Sequence, residues 1–141
     1  MSDLQCFIEA QKQDFDLALE EIRRGCKRSH WMWYIFPQIR GLGFSSMSAY
    51  YGIQNLKEAE DFLKDPYLGE NLRTICQALL ELDTDDPHQV LGSPDDLKLL
   101  SSMTLFEAAE GKGGVFTKVI EKYYGGRRDQ KTIELLGKIS G

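Results

Sequence analysis

Aromatic and basic side chains are concentrated in one stretch of the sequence, and their types suit the binding of a small anion that carries a ring. Seven of the fifteen aromatic residues lie between Trp31 and Tyr51. Tryptophan and tyrosine rings can stack on a flat ligand, and an arginine can hold a phosphate or a carboxylate through two parallel hydrogen bonds. This combination predicts a pocket for a nucleotide-like ligand. The alternative is that the rings only form the hydrophobic core.

The residues predicted to contact such a ligand combine a cation, rings, an amide, glycines and hydroxyls: Arg28, Trp31, Trp33, Gln38, Gly41, Gly43, Ser45, Ser101, Ser102 and Thr104. In this hypothesis Arg28 holds a phosphate, and Trp31 or Trp33 stacks on the base. Gln38 and one of the two adjacent serines hydrogen-bond the sugar, and the glycines supply backbone N–H groups that can point at an anion. The hydroxyls between positions 101 and 104 could instead bond carbonyl groups of the preceding helical turn.

His30 is the candidate acid–base residue, because an ordinary imidazole has a pKa of about 6.5 and exchanges protons near neutral pH. The same ring could instead order its loop by hydrogen bonding. Hydrolysis of a glycosidic bond, the reaction considered with this ligand, usually needs a carboxylate. Residues 23–56 contain no Asp or Glu, so Glu107 or Asp129 would have to approach the site from elsewhere in the fold.

Charge is distributed unevenly along the chain, whose formal net charge is −5. Residues 23–56 carry five Arg and Lys residues and are therefore +5, which leaves −10 for the other residues. A short positive segment in an acidic protein suits a small anion better than a long polyanion. We therefore expect neither a nucleic-acid partner nor a membrane partner, while a protein partner stays open.

Metal and cofactor sites are not expected from the cysteine and histidine pattern. The three cysteines are widely spaced without a Cys-x-x-Cys pair, and the two histidines lie far apart in the sequence. Neither a disulfide framework nor a structural zinc site fits this spacing. No apolar run approaches the roughly 20 residues that cross a bilayer, and the N-terminus lacks the pattern of a signal peptide. We therefore expect a cytoplasmic protein without a bound cofactor.

Helix signals recur along the whole chain and predict the scaffold that positions these residues. Asn55, Asp65, Asp86 and Asp129 each stand where a helix N-cap is expected, and the second and third are followed by proline. Strand signals are almost absent. Residues 1–141 are therefore predicted to form one compact all-α domain of roughly seven to nine short helices.

Three local predictions accompany this fold. A break near Asp14 would divide the first helical region in two. The apolar run from Trp31 is expected to form a short buried helix, followed by an irregular loop up to Ser45, because Pro37 and the nearby glycines disfavour a continuous helix. The helix that opens at Ser93-Pro94 is expected to carry Leu97, Leu100, Thr104 and Ala108 on one side.

Two sequence blocks resemble the signature of a family known only as domain of unknown function 1810. They are the run from Lys27 to Gln38, continued by Gly41-Leu42-Gly43, and the run from Ser101 to Phe106. The resemblance covers nearly the whole chain and implies an all-helical single domain with no assigned activity. A looser likeness connects the family with helical domains that process ADP-ribose derivatives, which implies a ligand of that class.

The sequence therefore indicates two candidate functions. The first is a binding site for a nucleotide-like or ADP-ribose-like anion, with or without glycosidic hydrolysis. The second is a non-catalytic protein-interaction module that uses an aromatic groove. Exposure discriminates between them: tryptophans that line a concave polar cleft favour the first, and an exposed aromatic patch favours the second.

Overall fold

The computed structural model describes residues 3–140, apart from the side chains of residues 139 and 140, and within this range the backbone forms nine helices. They are α1 (Gln5–Arg23), α2 (Met32–Ile35), α3 (Ser46–Tyr50), α4 (Leu56–Lys64), α5 (Pro66–Glu81), α6 (Pro87–Leu91), α7 (Asp95–Glu110), α8 (Val115–Tyr124) and α9 (Gln130–Ser140). The predicted all-α fold is confirmed. None of the described helices is both long and apolar enough to cross a membrane.

The helix starts follow the predicted caps. The side chain of Asn55 accepts a hydrogen bond from the Glu58 amide at 2.9 Å and begins α4. The carboxylate of Asp65 accepts two amide hydrogen bonds at 2.9 Å at the start of α5. Asp86 and Asp129 cap α6 and α9 in the same way. These caps supply acceptors for amides that have no partner within their own helix.

Helix α7 is the centre of the fold and packs against α4, α6, α8 and α9, while α1 packs against α2 and α5. A chain of ring contacts crosses the core from α1 to α8, through Phe7, Phe62, Phe106 and Phe116. Their successive ring centroids lie 5.4, 5.2 and 5.8 Å apart. The core is therefore continuous across the helices, as expected for one compact unit.

Two local predictions are wrong. Helix α1 continues without a break through Asp14, whose carboxylate accepts a hydrogen bond from the hydroxyl of Tyr34. The second error concerns α7, where the side that carries Leu97, Leu100, Thr104 and Ala108 is not the buried side, since Leu97 is 64% exposed and Ala108 is also exposed. Because α7 is surrounded by other helices, residues 101–107 are buried on every side. Its buried surface is therefore not one stripe, and helical periodicity could not locate it.

The segment between α2 and α4 has the predicted irregular form. It is held by a short parallel pairing in which the Arg40 amide donates to the Ile53 carbonyl at 2.8 Å, and the Ile53 amide donates to the Gln38 carbonyl at 2.9 Å. Helix α3 begins at the predicted residue, since the hydroxyl of Ser45 accepts the Ser48 amide at 3.1 Å. The pairing places the 40–44 loop and α3 on the outside of the molecule.

Candidate functional site

The start of the predicted site is organised by a buried carboxylate on α1. Glu21 accepts four hydrogen bonds, from the amides of Arg28 and Ser29, the Ser29 hydroxyl and the Trp31 indole, at 2.6 to 3.0 Å. Burial alone would raise the pKa of Glu21, but these donors outweigh burial and lower it to about 2. Glu21 therefore stays ionised and holds the loop between α1 and α2 in place.

Trp31 lies in the core rather than at a surface. Its side chain is 0% exposed, and its indole N–H is fully used by Glu21 at 2.9 Å. The ring also packs against Phe36, with centroids 6.2 Å apart. This placement corrects the expectation that Trp31 could stack on a ligand, because no face of the ring reaches solvent.

Arg28 and His30 are exposed on the loop between α1 and α2. Within the described part of the chain, neither the guanidinium of Arg28 nor the imidazole of His30 makes a hydrogen bond or an ion pair. The His30 carbonyl accepts the hydroxyl of Tyr34 at 3.3 Å, so that its backbone, not its ring, orders the loop. Among the described residues, no hydrogen bond or ion pair joins these two side chains to the other predicted site residues, and neither lines the crevice described next.

Three of the predicted residues do come together. Trp33, Gln38 and Gly43 line one narrow crevice, which is completed by Ile39, Ser48, Tyr51 and Gly52. The crevice has a volume of only about 10 Å³, roughly the room needed for one water molecule. A Cβ atom on Gly43 would overlap the Ser48 side chain, so this glycine permits the close approach of the loop to α3.

Two cations adjoin this crevice. The Lys98 ammonium of α7 lies over the Trp33 ring, 5.4 Å from its centroid. Arg40 has its Cα and Cβ atoms next to Gly52, a residue that lines the crevice, and Arg40 is exposed. We define the Trp33 crevice as the lining residues together with Lys98 and Arg40.

Gly41 and Ser45 have local structural roles at the edge of the crevice. Gly41 has φ +105°, a conformation that favours glycine, and a Cβ atom added there would lie 3.6 Å from the Leu135 side chain of α9. The Ser45 hydroxyl caps α3 and also donates to the Ser48 hydroxyl at 3.0 Å. The loop is thus positioned between α3 and α9.

The α7 hydroxyls mostly bond within the protein. Ser101 donates to the Asp129 carboxylate at 2.8 Å, and Thr104 donates to the Leu100 carbonyl at 2.8 Å. The Thr104 hydroxyl also accepts the Asp129 amide at 3.0 Å. These bonds attach α9 to α7, so the two side chains stabilise the fold in this structure.

Ser102 differs from its neighbours, since it is 0% exposed and its hydroxyl is the one buried side-chain polar atom of the described chain without a hydrogen-bond partner. Replacing Ser102 with alanine is expected to raise the free energy of unfolding by about 1 kcal/mol, because an unsatisfied buried hydroxyl is removed. The matched change Ser101→Ala is expected to lower it by about 1 kcal/mol. Urea unfolding curves of both variants test this contrast, which fails if Ser102→Ala is the less stable of the two.

The two carboxylates considered for hydrolysis are both engaged elsewhere. Glu107 is held by Arg128 through two hydrogen bonds, at 2.6 and 3.0 Å, and by the Thr117 hydroxyl at 2.5 Å. The bonds from Arg128, opposed by burial and assisted by Thr117, lower the pKa of Glu107. Asp129 accepts Ser101 and also the amide and hydroxyl of Thr132. Neither carboxylate lines the Trp33 crevice.

Of the other cavities, one of about 340 Å³ is lined by the predicted residue Thr104 together with Glu107 and Arg128, and another lies away from the predicted site. A broad depression of about 530 Å³ runs between the end of α1, α4 and α5, and its walls carry both signs of charge, including Arg23, Lys64, Glu70 and Glu81. Within residues 3–140, no three side chains with metal-ligating groups lie close enough together to hold a metal ion.

Sequence reasoning missed Lys98, Ser48, Tyr51 and Gly52 as parts of the crevice. Lys98 precedes Ser102 by one helical turn and therefore shares its side of α7, a spacing that the sequence already contained. The other three follow the loop on the chain, but only the pairing of residues 38–40 with Ile53 brings them back to Trp33.

Comparison with known proteins agrees with this fold. A family model described as "Protein of unknown function (DUF1810)" matches residues 1–136. The crystal structure of the conserved hypothetical protein Rv1873 from Mycobacterium tuberculosis is 42% identical in sequence and superimposes with a TM-score of 0.93, over 96% of each chain. Among curated proteins there is no significant match. These descriptions name no ligand and no reaction.

Proposed function

The chain belongs to a family whose description, "Protein of unknown function (DUF1810)", names no activity, and we propose that it binds a small anionic ligand with a flat ring at the Trp33 crevice. The ligand is of the nucleotide or ADP-ribose class. One observation carries this proposal: Trp33, Gln38 and Gly43 line the same crevice, with a lysine over the indole.

The charges around the crevice support an anion. The Lys98 ammonium forms an ion pair with Asp95 at 3.7 Å, but Asp95 lies closer, at 2.9 Å, to the ammonium of Lys27. Asp95 therefore neutralises Lys27 more than Lys98. The Arg40 guanidinium makes no hydrogen bond or ion pair within the described residues. An unpaired, exposed guanidinium next to a carboxylate-free loop suits bidentate binding of a phosphate.

The small volume of the crevice determines how the ligand would lie. An enclosed nucleotide needs a pocket of roughly 300 Å³ or more, far above the 10 Å³ found here. We therefore place the ligand across the mouth of the crevice, with its ring on the half-exposed edge of Trp33 and its phosphate towards Arg40. The amides of residues 41–43 make no hydrogen bond within the described chain and are available to bind an anion.

We propose binding without hydrolysis. Hydrolysis of a glycosidic bond usually needs an available carboxylate. Glu107 is held by Arg128, and Asp129 is held by Ser101 and Thr132. His30 lies on another loop and does not line the crevice. The chemistry that the crevice offers is therefore recognition of charge and ring.

Titration with ADP-ribose, NAD, AMP and ribose 5-phosphate tests this proposal. Binding should quench the fluorescence of half-exposed Trp33 and leave that of buried Trp31, and ligand at 100 times its Kd should add about 2.7 kcal/mol of stability. We expect Arg40→Ala and Trp33→Leu to weaken binding at least about tenfold. The exposed residue Lys118 on α8 lies outside the crevice, and Lys118→Ala is the matched control.

Unfolding curves without ligand show that each variant is folded before its affinity is compared. Equal affinity in Arg40→Ala, Trp33→Leu and the wild type would contradict the site. Absence of binding by the whole panel would contradict the proposal itself and favour the protein-interaction module. The exposed side chains of Phe44, Met47 and Tyr50, the first of them 100% exposed, support that alternative.

A further inference from the structure

A second cavity lies between α1 and α3, on the other side of Tyr51 from the Trp33 crevice. Its volume is about 350 Å³, within the range of small-molecule sites. One wall is a face of α1, and the other is formed by α2 and α3. The lining residues are Cys6, Glu9, Ala10, Gln13, Asp14, Tyr34, Met47, Tyr50 and Tyr51. We call this cavity the tyrosine groove.

Three tyrosine rings in different orientations form one side of the tyrosine groove. The centroids of Tyr34 and Tyr51 lie 5.2 Å apart with their planes inclined by 54°. Tyr50 and Tyr51 lie 4.8 Å apart and are perpendicular. All three tyrosines line the same cavity, and aromatic rings that surround one space can attract an organic cation.

The charges that line the groove are all negative. Glu9 and Asp14 are the two carboxylates of its wall, and no Lys, Arg or His is among the lining residues. Asp14 accepts the Tyr34 hydroxyl, which fixes this carboxylate beside the rings. Burial is the largest cause that raises the pKa of Tyr51, and the nearby groups Cys6, Tyr50, Asp14 and Glu9 raise it further. Because Glu9 and Asp14 are the charged residues of the lining, the groove favours a positively charged ligand.

We propose that the tyrosine groove binds an organic ammonium head group, with its charge facing Glu9 and Asp14 and its alkyl groups against Tyr34, Tyr50 and Tyr51. Carboxylates alone would not define such a site, since exposed acids are common on surfaces. The rings, the cavity and the absence of any lining cation select an alkylammonium over an inorganic ion. This inference is independent of the ligand at the Trp33 crevice.

Titration of the isotope-labelled protein with choline, followed by backbone amide chemical shifts, tests this site. We expect saturable shifts at residues of α1 and α3 that line the groove. The neutral analogue 3,3-dimethyl-1-butanol has the same shape without the charge and should cause none. A short acetylated peptide with one trimethyl-lysine carries the same head group from a protein source. Comparison of the two affinities identifies the natural ligand: tighter binding of choline indicates a free amine, and tighter binding of the peptide indicates a modified side chain.

Two exposed residues allow the groove to be altered without disturbing the core. Glu9→Gln removes a charge and Tyr50→Leu removes a ring, and each should weaken choline binding about five- to tenfold. Glu121→Gln changes an exposed acid of α8, outside the groove, and should leave the affinity unchanged. Equal shifts with the neutral analogue, unchanged affinity in both groove variants, or no saturable shift with either cation would each overturn the proposal.

Discussion

Replacing Glu21 with glutamine is expected to lower the free energy of unfolding at pH 7 by about 3 kcal/mol, because a pKa reduced from 4.5 to about 2 corresponds to that amount. Glutamine resembles the protonated acid in shape, but it is neutral and replaces one carboxylate oxygen with an NH2 group, which cannot accept the bonds made to that oxygen. The Arg28 and Ser29 amides and the Trp31 indole would lose an ionised acceptor. Urea unfolding at pH 7 measures the difference.

The same carboxylate predicts a pH dependence with a definite sign. The pKa of Glu21 is lower in the folded state than the ordinary value, so its contribution is complete above about pH 4.5 and is lost as the pH falls towards 2. The stability difference between the wild type and Glu21→Gln should therefore narrow steadily over this range. Unfolding midpoints measured at pH 7, 4 and 2.5 follow it.

Glu20 provides the matched control for Glu21. It is the neighbouring residue of α1, but its carboxylate is exposed and pairs with Arg24, at 2.5 Å. Exposed ion pairs one helical turn apart contribute about 0.3–0.5 kcal/mol, so Glu20→Gln should be nearly neutral. If Glu21→Gln is no less stable than Glu20→Gln, the loop between α1 and α2 does not depend on the buried carboxylate.

Replacing Gly69 with alanine is expected to destabilise the protein by about 2–3 kcal/mol, although alanine usually favours a helix. Gly69 lies in the first turn of α5, directly after the Asp65 cap. A Cβ atom there would come within 3.0 Å of the Leu63 carbonyl oxygen, which belongs to the backbone of α4. Backbone cannot move away as a side chain can, so α4 and α5 would have to separate.

Gly137 is the control for this substitution. It is an exposed glycine of α9, and an added Cβ atom would meet nothing within 4 Å. Gly137→Ala should therefore raise stability by about 0.5–1 kcal/mol through helix propensity and lower backbone entropy. Guanidinium unfolding of both variants distinguishes the two effects. Similar stabilities for Gly69→Ala and Gly137→Ala would show that α4 and α5 tolerate a wider spacing.

Helix boundaries were determined by the sequence itself. Asn55, Asp65, Asp86 and Asp129 bond amides two or three residues along the chain. Such contacts need no tertiary partner, which is why cap residues predict them. The short helix before Pro37 followed from the same local geometry. The positive segment 23–56 and the family resemblance, which the family model confirms, were likewise present in the order of residues.

Burial of individual side chains was decided by the tertiary structure. Trp31 is buried because Glu21, ten positions earlier, satisfies its indole N–H. Trp33 meets Lys98 from a helix far away in the chain. Helical periodicity indicates which side of a helix is apolar. Because α2 is apolar on all sides and α7 is surrounded by other helices, periodicity could not distinguish buried from exposed residues in these two helices.

The tyrosine groove also exists only in the folded chain. Glu9 and Asp14 stand on α1, whereas Tyr34, Tyr50 and Tyr51 belong to segments that follow it. Their sequence separation contains no signal of contact, since the distance between two segments depends on how every helix between them packs. The sequence thus determined the elements and their charges. The packing of α1 against α2 and the outward placement of α3 decided which of those charges and rings face one another.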